Sequence, residues 1–115
     1  MSTARGQAAE RRAEAFLVAR GLRTVARNYR CKAGEIDLVM RDGPVWVFVE
    51  VRLRGNTRFG GPLESVDARK RRRLVATAQH YLARHAPDGQ ARIDVVGLDA
   101  HQRIDWIPNA VDCGA

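Results

Sequence analysis

Two segments of the chain place their hydrophobic residues at helical spacing. The first is predicted to form a helix from about residue 3 to residue 20, because Gly21 follows at a position that favours a helix end. Its apolar residues follow the i, i+4, i+7, i+8 pattern and are Ala9, Ala13, Phe16 and Leu17. The second helix is predicted from about Val66 to His85, with Ser65 as its N-cap and Asp67 in its first turn.

Five further segments have the apolar and β-branched composition of strands: residues 22–30, 35–40, 45–53, 91–98 and 102–107. The second and third are joined by residues 41–44, in which Asp42-Gly43 is a strong hairpin signal. The predicted order is therefore α-β-β-β-α-β-β, an α/β fold with a central mixed sheet of about five strands covered by helices. We expect a single domain over residues 1–115, with residues 109–115 as a flexible C-terminal tail.

Three acidic residues interrupt the strands of the predicted hairpin: Glu35, Asp37 and Glu50. If the turn has an even number of residues and Met40 pairs with Val45, Glu35 lies opposite Glu50 and Asp37 lies diagonally from it. Like charges at this range destabilise a sheet, and a divalent cation would reverse the sign of the interaction. Oxygen ligands suit Mg²⁺ or Mn²⁺. The alternative is that Glu35 or Glu50 only pairs with a nearby arginine.

The composition indicates a polyanionic partner. The chain of 115 residues has 20 lysines and arginines against 13 acids, a net charge of +7. This balance favours nucleic acid first and an anionic membrane surface second. No apolar stretch has the length of a signal peptide or a membrane span, so we expect a cytoplasmic protein without a membrane contact. Two cysteines form neither a disulfide framework nor a zinc site, and we expect both to be reduced.

Basic residues cluster in two places. At the start of the second helix, Arg69, Lys70 and Arg71 are predicted to contact phosphates; a solvated helix face is the alternative. In the glycine-rich segment before it, Arg54 and Arg58 are candidates for the same role, and a mobile connection is the alternative.

The acidic motif resembles a known nuclease pattern. Asp37 followed by Glu50-Val51-Arg52 is similar to the D…(D/E)-X-K signature of the PD-(D/E)XK nuclease superfamily. More closely, "GEIDLV…VFVEVR" resembles the YraN-like family of uncharacterised bacterial proteins, which is grouped with Holliday-junction-resolvase-like folds. The resemblance covers roughly residues 5 to 108 and extends to the segments "GQAAERRAEAFLVARGL", "RNYR", "KRRRLVATAQHYL" and "RIDVV". It implies a restriction-endonuclease-like fold.

The resemblance also implies roles for individual residues. Asp37 and Glu50 match the metal-binding acids, Glu10 matches an acid on the first helix that faces the same cleft, and Glu35 would brace the site. Arg52 departs from the pattern, because the superfamily usually has lysine there. Arginine stays charged in proteins, so Arg52 could orient water or hold a phosphate but is a poor general base.

The leading hypothesis is a nucleic-acid-binding, Mg²⁺- or Mn²⁺-dependent endonuclease-like protein that hydrolyses phosphodiester bonds in DNA or structured nucleic acid. The alternative is a non-catalytic binding module that retains the nuclease fold, and a third hypothesis is a basic adaptor for an acidic protein. The three carboxylates favour the first hypothesis, whereas Arg52 favours the second. DNA is favoured over RNA as the partner, and symmetric cutting of two strands would favour a homodimer.

Overall fold

The computed structural model describes residues 4–53, 66–101 and 103–111. Within these residues the element order is the one that the sequence predicts, with two helices and five strands. In chain order these are α1 (Ala4–Val18), β1 (Arg23–Cys31), β2 (Gly34–Asp42), β3 (Val45–Leu53), α2 (Ala68–His85), β4 (Ala91–Leu98) and β5 (Ile104–Val111). The bounds of β3 and β4 match the prediction residue for residue.

The helix ends follow from local chemistry. Gly21 has a φ of +100°, a left-handed conformation that glycine adopts without a steric penalty, so the chain can turn away after α1. At the start of α2, Asp67 is the N-cap, because its side chain accepts a 2.8 Å hydrogen bond from the Lys70 backbone N–H. The prediction that Asp67 lies inside the first turn is wrong, because the helix begins at Ala68; the predicted cap, Ser65, lies outside the described residues.

All five strands form one sheet in the order β1-β2-β3-β4-β5. β3 and β4 pair in parallel, and the other neighbouring strands of this sheet are antiparallel. The parallel pair follows from the chain path, since a parallel connection needs a crossover and α2 supplies it. The sheet is therefore mixed, as predicted.

One helix packs on each face of the sheet. Alternation along β3 places Val47 and Val49 in a cluster with α1, and Phe48 in a cluster with α2. The α1 side is filled by Ala13 and Leu17, which are fully buried. The α2 side is centred on three residues at helical spacing, namely Leu74, Ala78 and Tyr81. The core thus consists of two apolar layers separated by the sheet.

The C-terminal strand is longer than the sequence predicts. β5 continues to Val111, which is buried and pairs with Ile93 of β4. Residues 109–111 therefore belong to the sheet, and the prediction of a tail that starts at residue 109 is wrong for them. The apolar Ala110-Val111 pair explains the extension, because it packs against the α2 side of the core.

The register of the β2–β3 hairpin differs from the predicted one by two residues. Gly43 and Pro44 form the turn, Asp42 pairs with Val45, and Leu38 pairs with Val49. The turn is even, as expected, but the predicted Met40–Val45 pairing is wrong because residues 41 and 42 continue β2. Extended by one residue beyond its last pair, Leu38–Val49, this register would place Asp37, rather than Glu35, opposite Glu50.

Candidate active site

Asp37 lies where the regular β2–β3 ladder ends. The last described pair is Leu38–Val49, and beyond it the Asp37 carboxyl Oδ2 accepts a 2.7 Å hydrogen bond from the Val51 backbone N–H. Alternation also fails here, since Ile36 and Leu38 would share a face in a regular strand but pack in opposite core clusters. A side-chain oxygen thus joins the two strands where a backbone carbonyl would normally do so.

Asp37 and Glu50 form a buried acidic pair. Their exposed fractions are 9% and 3%. Burial, followed by the negative charge of Glu50, raises the pKa of Asp37 from its ordinary 3.8 to about 9, against the opposing effect of the Val51 hydrogen bond. A hydrogen bond between the two carboxyl groups acts in the same direction as burial. The pair therefore resists carrying two negative charges unless a cation compensates them.

Two cations approach Glu50 from different elements. Lys70 of α2 places its Nζ 3.2 Å from Glu50 Oε2, and Arg52 of β3 places its Nη1 3.4 Å from the same oxygen. The sequence assigned Lys70 only to phosphate contacts and missed its place beside Glu50. A signal was available, because Lys70 is spaced i, i+4, i+8, i+11 with Leu74, Ala78 and Tyr81 and so follows the buried stripe of α2.

Glu10 reaches this region from α1. Its Oε1 accepts a 3.1 Å hydrogen bond from the Asn28 side-chain amide, and its charge contributes to the raised pKa of Asp37. Asn28 has a φ of +53°, a left-handed conformation that asparagine tolerates better than most residues. Sequence reasoning did not single out Asn28, since its partner is 18 positions away in the chain.

Glu35 lies at the rim of the site and forms an ion pair with Arg30. The sequence left open whether Glu35 braces the site or only pairs with an arginine. The structure gives Glu35 an arginine partner at the rim, whereas the buried acids of the hairpin are Asp37 and Glu50.

These side chains line a cavity of about 210 Å³, called the acid cavity below. Its polar lining consists of Glu10, Glu35, Asp37, Glu50, Arg52 and Lys70. Within the described parts of the chain, no three or more acids, histidines or cysteines come together in a metal-ligating cluster. The site therefore offers a carboxylate pair rather than the expected set of three acids, and Mg²⁺ commonly takes one or two protein carboxylates.

The predicted phosphate contacts separate in space. Arg69 and Lys70 lie at the start of α2 next to Arg52, where they line a common cavity. Arg71 points elsewhere, since its guanidinium Nε donates a 2.9 Å hydrogen bond to the Val66 carbonyl oxygen. The other two candidates, Arg54 and Arg58, lie outside the described residues.

The fold and site together define a class: a small mixed α/β domain with a buried acidic pair and a lysine–arginine pair at the end of its central hairpin. Comparison with known proteins then assigns the family. The chain belongs to the uncharacterised protein family UPF0102, whose model matches residues 9–98. The match includes both acids of the pair as well as Glu10, Arg52 and Lys70.

Relatives from several bacteria match nearly the whole chain. A UPF0102 protein of Methylococcus capsulatus is 52% identical over 110 residues, which cover 93% of this chain and 89% of the relative. A UPF0102 protein of Halorhodospira halophila is 54% identical, covering 92% and 85%. One from Pseudomonas fluorescens is 49% identical, covering 93% and 92%. Among the described residues, no helix is long and apolar enough to cross a membrane.

Proposed function

We propose that this protein is a nucleic-acid-binding, metal-dependent phosphodiesterase of the endonuclease type. The observation that carries the proposal is the buried Asp37–Glu50 pair with the ammonium of Lys70 3.2 Å from Glu50. Acids and a lysine are the chemical groups of the PD-(D/E)XK nuclease pattern that the sequence resembles, and here Lys70 of α2 provides the lysine while Arg52 stands at the position where that pattern has one. The net charge of +7 supports a polyanionic substrate.

Asp37 and Glu50 would hold Mg²⁺ or Mn²⁺. Both ions prefer oxygen ligands, and burial followed by the Glu50 charge raises the pKa of Asp37, so a bound cation would stabilise the ionised form of this carboxyl group. A bound divalent ion would make a phosphodiester more electrophilic and a water more acidic. Because the Val51 N–H fixes one oxygen of Asp37, the carboxyl group is oriented before any ligand binds.

Lys70 and Arg52 have separable roles in the proposal. Arginine presents a planar fork that suits two phosphate oxygens and does not give up its proton, so Arg52 holds the phosphate. Lysine is a compact, charged donor, so Lys70 orients the attacking water beside Glu50 and stabilises the negative charge that develops during the reaction. The amine that the superfamily pattern places two residues after the second acid would thus come from α2.

A binding module without turnover remains the second candidate. Glu50 already has two cationic neighbours, and such neutralisation reduces the need for a metal ion. The two candidates differ in one measurable property, since only the hydrolase requires a divalent ion.

The decisive experiment is single-turnover cleavage of linear and junction-containing DNA and RNA with Mg²⁺, Mn²⁺ or chelator. We expect metal-dependent cleavage that Asp37→Asn and Glu50→Gln abolish. Asp42→Asn is the matched control, because Asp42 is an acid of the same hairpin at its opposite, exposed end. Calorimetry should detect Mn²⁺ binding that the two site variants weaken. Chelator-resistant cleavage, or binding without cleavage under all conditions, would contradict the hydrolase proposal.

A second pair of variants tests the assignment of Lys70. Lys70→Gln should lower the cleavage rate by about 10²–10³-fold, the usual loss when one positioned donor to the developing charge is removed. Arg72→Gln removes the same charge from the exposed side of α2 and should leave the rate within a few-fold. Equal losses in both variants would show that only the overall charge matters.

A further inference from the structure

A second cavity adjoins the acid cavity. It has a volume of about 280 Å³ and is lined by Arg52, Asp67, Arg69, Lys70 and Arg73; it is called the basic cavity below. Arg52 and Lys70 line both cavities, so they form the wall between them. The two cavities are thus neighbours, one rich in carboxylates and the other rich in cations.

The basic cavity is built by two elements of the fold. β3 supplies Arg52 near its end, and the first two turns of α2 supply the other cations. The single acid, Asp67, is occupied as the helix cap, which fixes the turn that carries Arg69 and Lys70. Four cations against one carboxylate give the lining a charge of +3.

The cations of this cavity divide into two groups. Arg52 and Lys70 have Glu50 as a partner on the side of the acid cavity. Arg69 and Arg73 are exposed, and no carboxylate in the described parts of the chain forms an ion pair with either of them. A phosphate would supply the missing negative charge and accept the donors of both guanidinium groups.

We propose that the basic cavity is a second phosphate subsite, which holds the phosphate next to the one in the acid cavity along a nucleic-acid strand. This inference rests on the proposed function, because it assigns the acid cavity to the phosphate that reacts. It narrows the substrate class to strands with at least two consecutive phosphates. A mononucleotide ester, with one phosphate, would occupy only one of the two cavities.

The test compares small ligands that differ by one phosphate. The ligands are thymidylyl-thymidine, which has one phosphate, and its two forms with an added 5′ or 3′ terminal phosphate. Each ligand would compete with a labelled single-stranded oligonucleotide for the protein, in chelator and at low salt. For the wild type, a second phosphate at one of the two ends should improve the affinity about tenfold, the scale of a charge-assisted contact.

The matched variants are Arg73→Gln and Arg72→Gln, which remove the same charge from adjacent positions. Arg73 lines the basic cavity, whereas Arg72 lines a different cavity between α2 and β5. The gain from the second phosphate should disappear in Arg73→Gln and persist in Arg72→Gln. Should Arg73→Gln fail to fold, Arg69→Gln provides the same comparison, since Arg69 also lines the basic cavity.

No gain in the wild type, or an equal loss in the two variants, would overturn the second subsite. Mn²⁺ calorimetry on the same proteins separates this result from failure of the proposed function. Normal metal binding and cleavage without a phosphate gain would leave the hydrolase intact and remove the subsite. If the second phosphate improves the affinity but no metal binds, the second subsite stands and the protein binds nucleic acid without cutting it.

Discussion

At the scale of single residues, the Asp37 carboxyl group makes stability depend on pH. Its pKa is about 9 in the fold, raised by burial and by the Glu50 charge, against an ordinary value of 3.8. Between these values the folded protein binds more protons than the unfolded chain, so stability decreases as the pH rises. Asp37→Asn should remove this loss, because the asparagine oxygen can still accept from Val51. In chelator at pH 8, we expect the variant to be more stable by about 1 kcal/mol or more.

The matched acid for this experiment is Glu14, whose pKa shifts in the opposite direction. The pKa of Glu14 is lowered chiefly by a hydrogen bond from Arg27, whose Nη2 lies 2.7 Å from the carboxylate. A hydrogen bond from Thr24 Oγ1 at 2.6 Å lowers it further. Ionised Glu14 stabilises the fold at neutral pH, and this stabilisation is lost as the pH falls through the lowered pKa. Glu14→Gln should therefore make the protein less stable than the wild type at pH 7, and the two stabilities should become equal in acid. Thermal unfolding of both variants from pH 3 to 9 is the measurement. Parallel pH profiles for Asp37→Asn and the wild type would contradict the prediction.

Asn28 provides a second test at this scale. Glycine adopts a φ of +53° without strain, so Asn28→Gly removes the amide that holds Glu10 and leaves the backbone unchanged. If Glu10 supports the metal site, Mn²⁺ affinity should fall about tenfold, the lower end for an outer-shell contact. Asn109→Gly is the control, because Asn109 has the same conformation at φ +52° and contacts Asp94 through its backbone N–H, which glycine keeps. Equal Mn²⁺ affinities of the two variants in calorimetry would show that Glu10 does not support the metal site.

At the scale of elements, the last strand is held by one fully buried acid, Asp94 of β4. Its two oxygens accept from Trp106 Nε1 at 2.9 Å, from the Asn109 backbone N–H at 2.8 Å and from Arg92 Nε at 3.1 Å. The bulge between Ile93 and Val95 in the pairing with β5 coincides with this residue. The carboxylate therefore replaces ladder contacts that the bulge removes.

Asp94→Asn should destabilise the protein by about 3 kcal/mol, because an amide would face several donors and Arg92 would lose a buried partner. Asp42→Asn is the control on the same arginine: Arg92 Nη1 lies 3.1 Å from Asp42, whose side chain is 48% exposed. Asp42→Asn should lower the free energy of unfolding by less than about 1 kcal/mol. Urea unfolding of the two variants gives the difference, and similar midpoints would show that Asp94 does not hold β5.

The elements also show how far sequence reasoning extends. Helical spacing predicts both helices of the described residues, because burial on one face imposes a period, and apolar, β-branched composition predicts their five strands. The Asp42-Gly43 signal locates the hairpin but does not decide whether residues 41 and 42 belong to the turn or to β2, and packing of the whole sheet sets that register. Lys70 could have been assigned from its place on the stripe, whereas the Asn28–Glu10 contact depends on how α1 crosses the sheet.

At the scale of the whole molecule, the charge of +7 should make nucleic-acid binding strongly dependent on salt. The slope of log affinity against log salt concentration is negative, and it becomes shallower by about 0.9 for each duplex phosphate contact that is removed. Arg69→Gln should produce a change of this size. Arg71→Gln should leave the slope nearly unchanged, because the Arg71 guanidinium donates to the Val66 carbonyl. Anisotropy titrations between low and moderate salt give the slopes of both variants. If Arg69→Gln and Arg71→Gln change the slope equally, binding depends on the net charge alone.

The hydrogen bond from the Val51 N–H to Asp37 gives the molecule a spectroscopic reporter. A backbone amide that donates to a carboxyl group senses its protonation directly, because the bond strengthens when the acceptor becomes charged. In ¹H–¹⁵N spectra the Val51 proton should move downfield as Asp37 ionises, with a midpoint near the raised pKa of about 9. The same resonance should shift at neutral pH when a diamagnetic ion such as Mg²⁺ displaces that proton. One amide of the native chain would thereby record both protonation and metal occupancy without a substitution in the acid cavity.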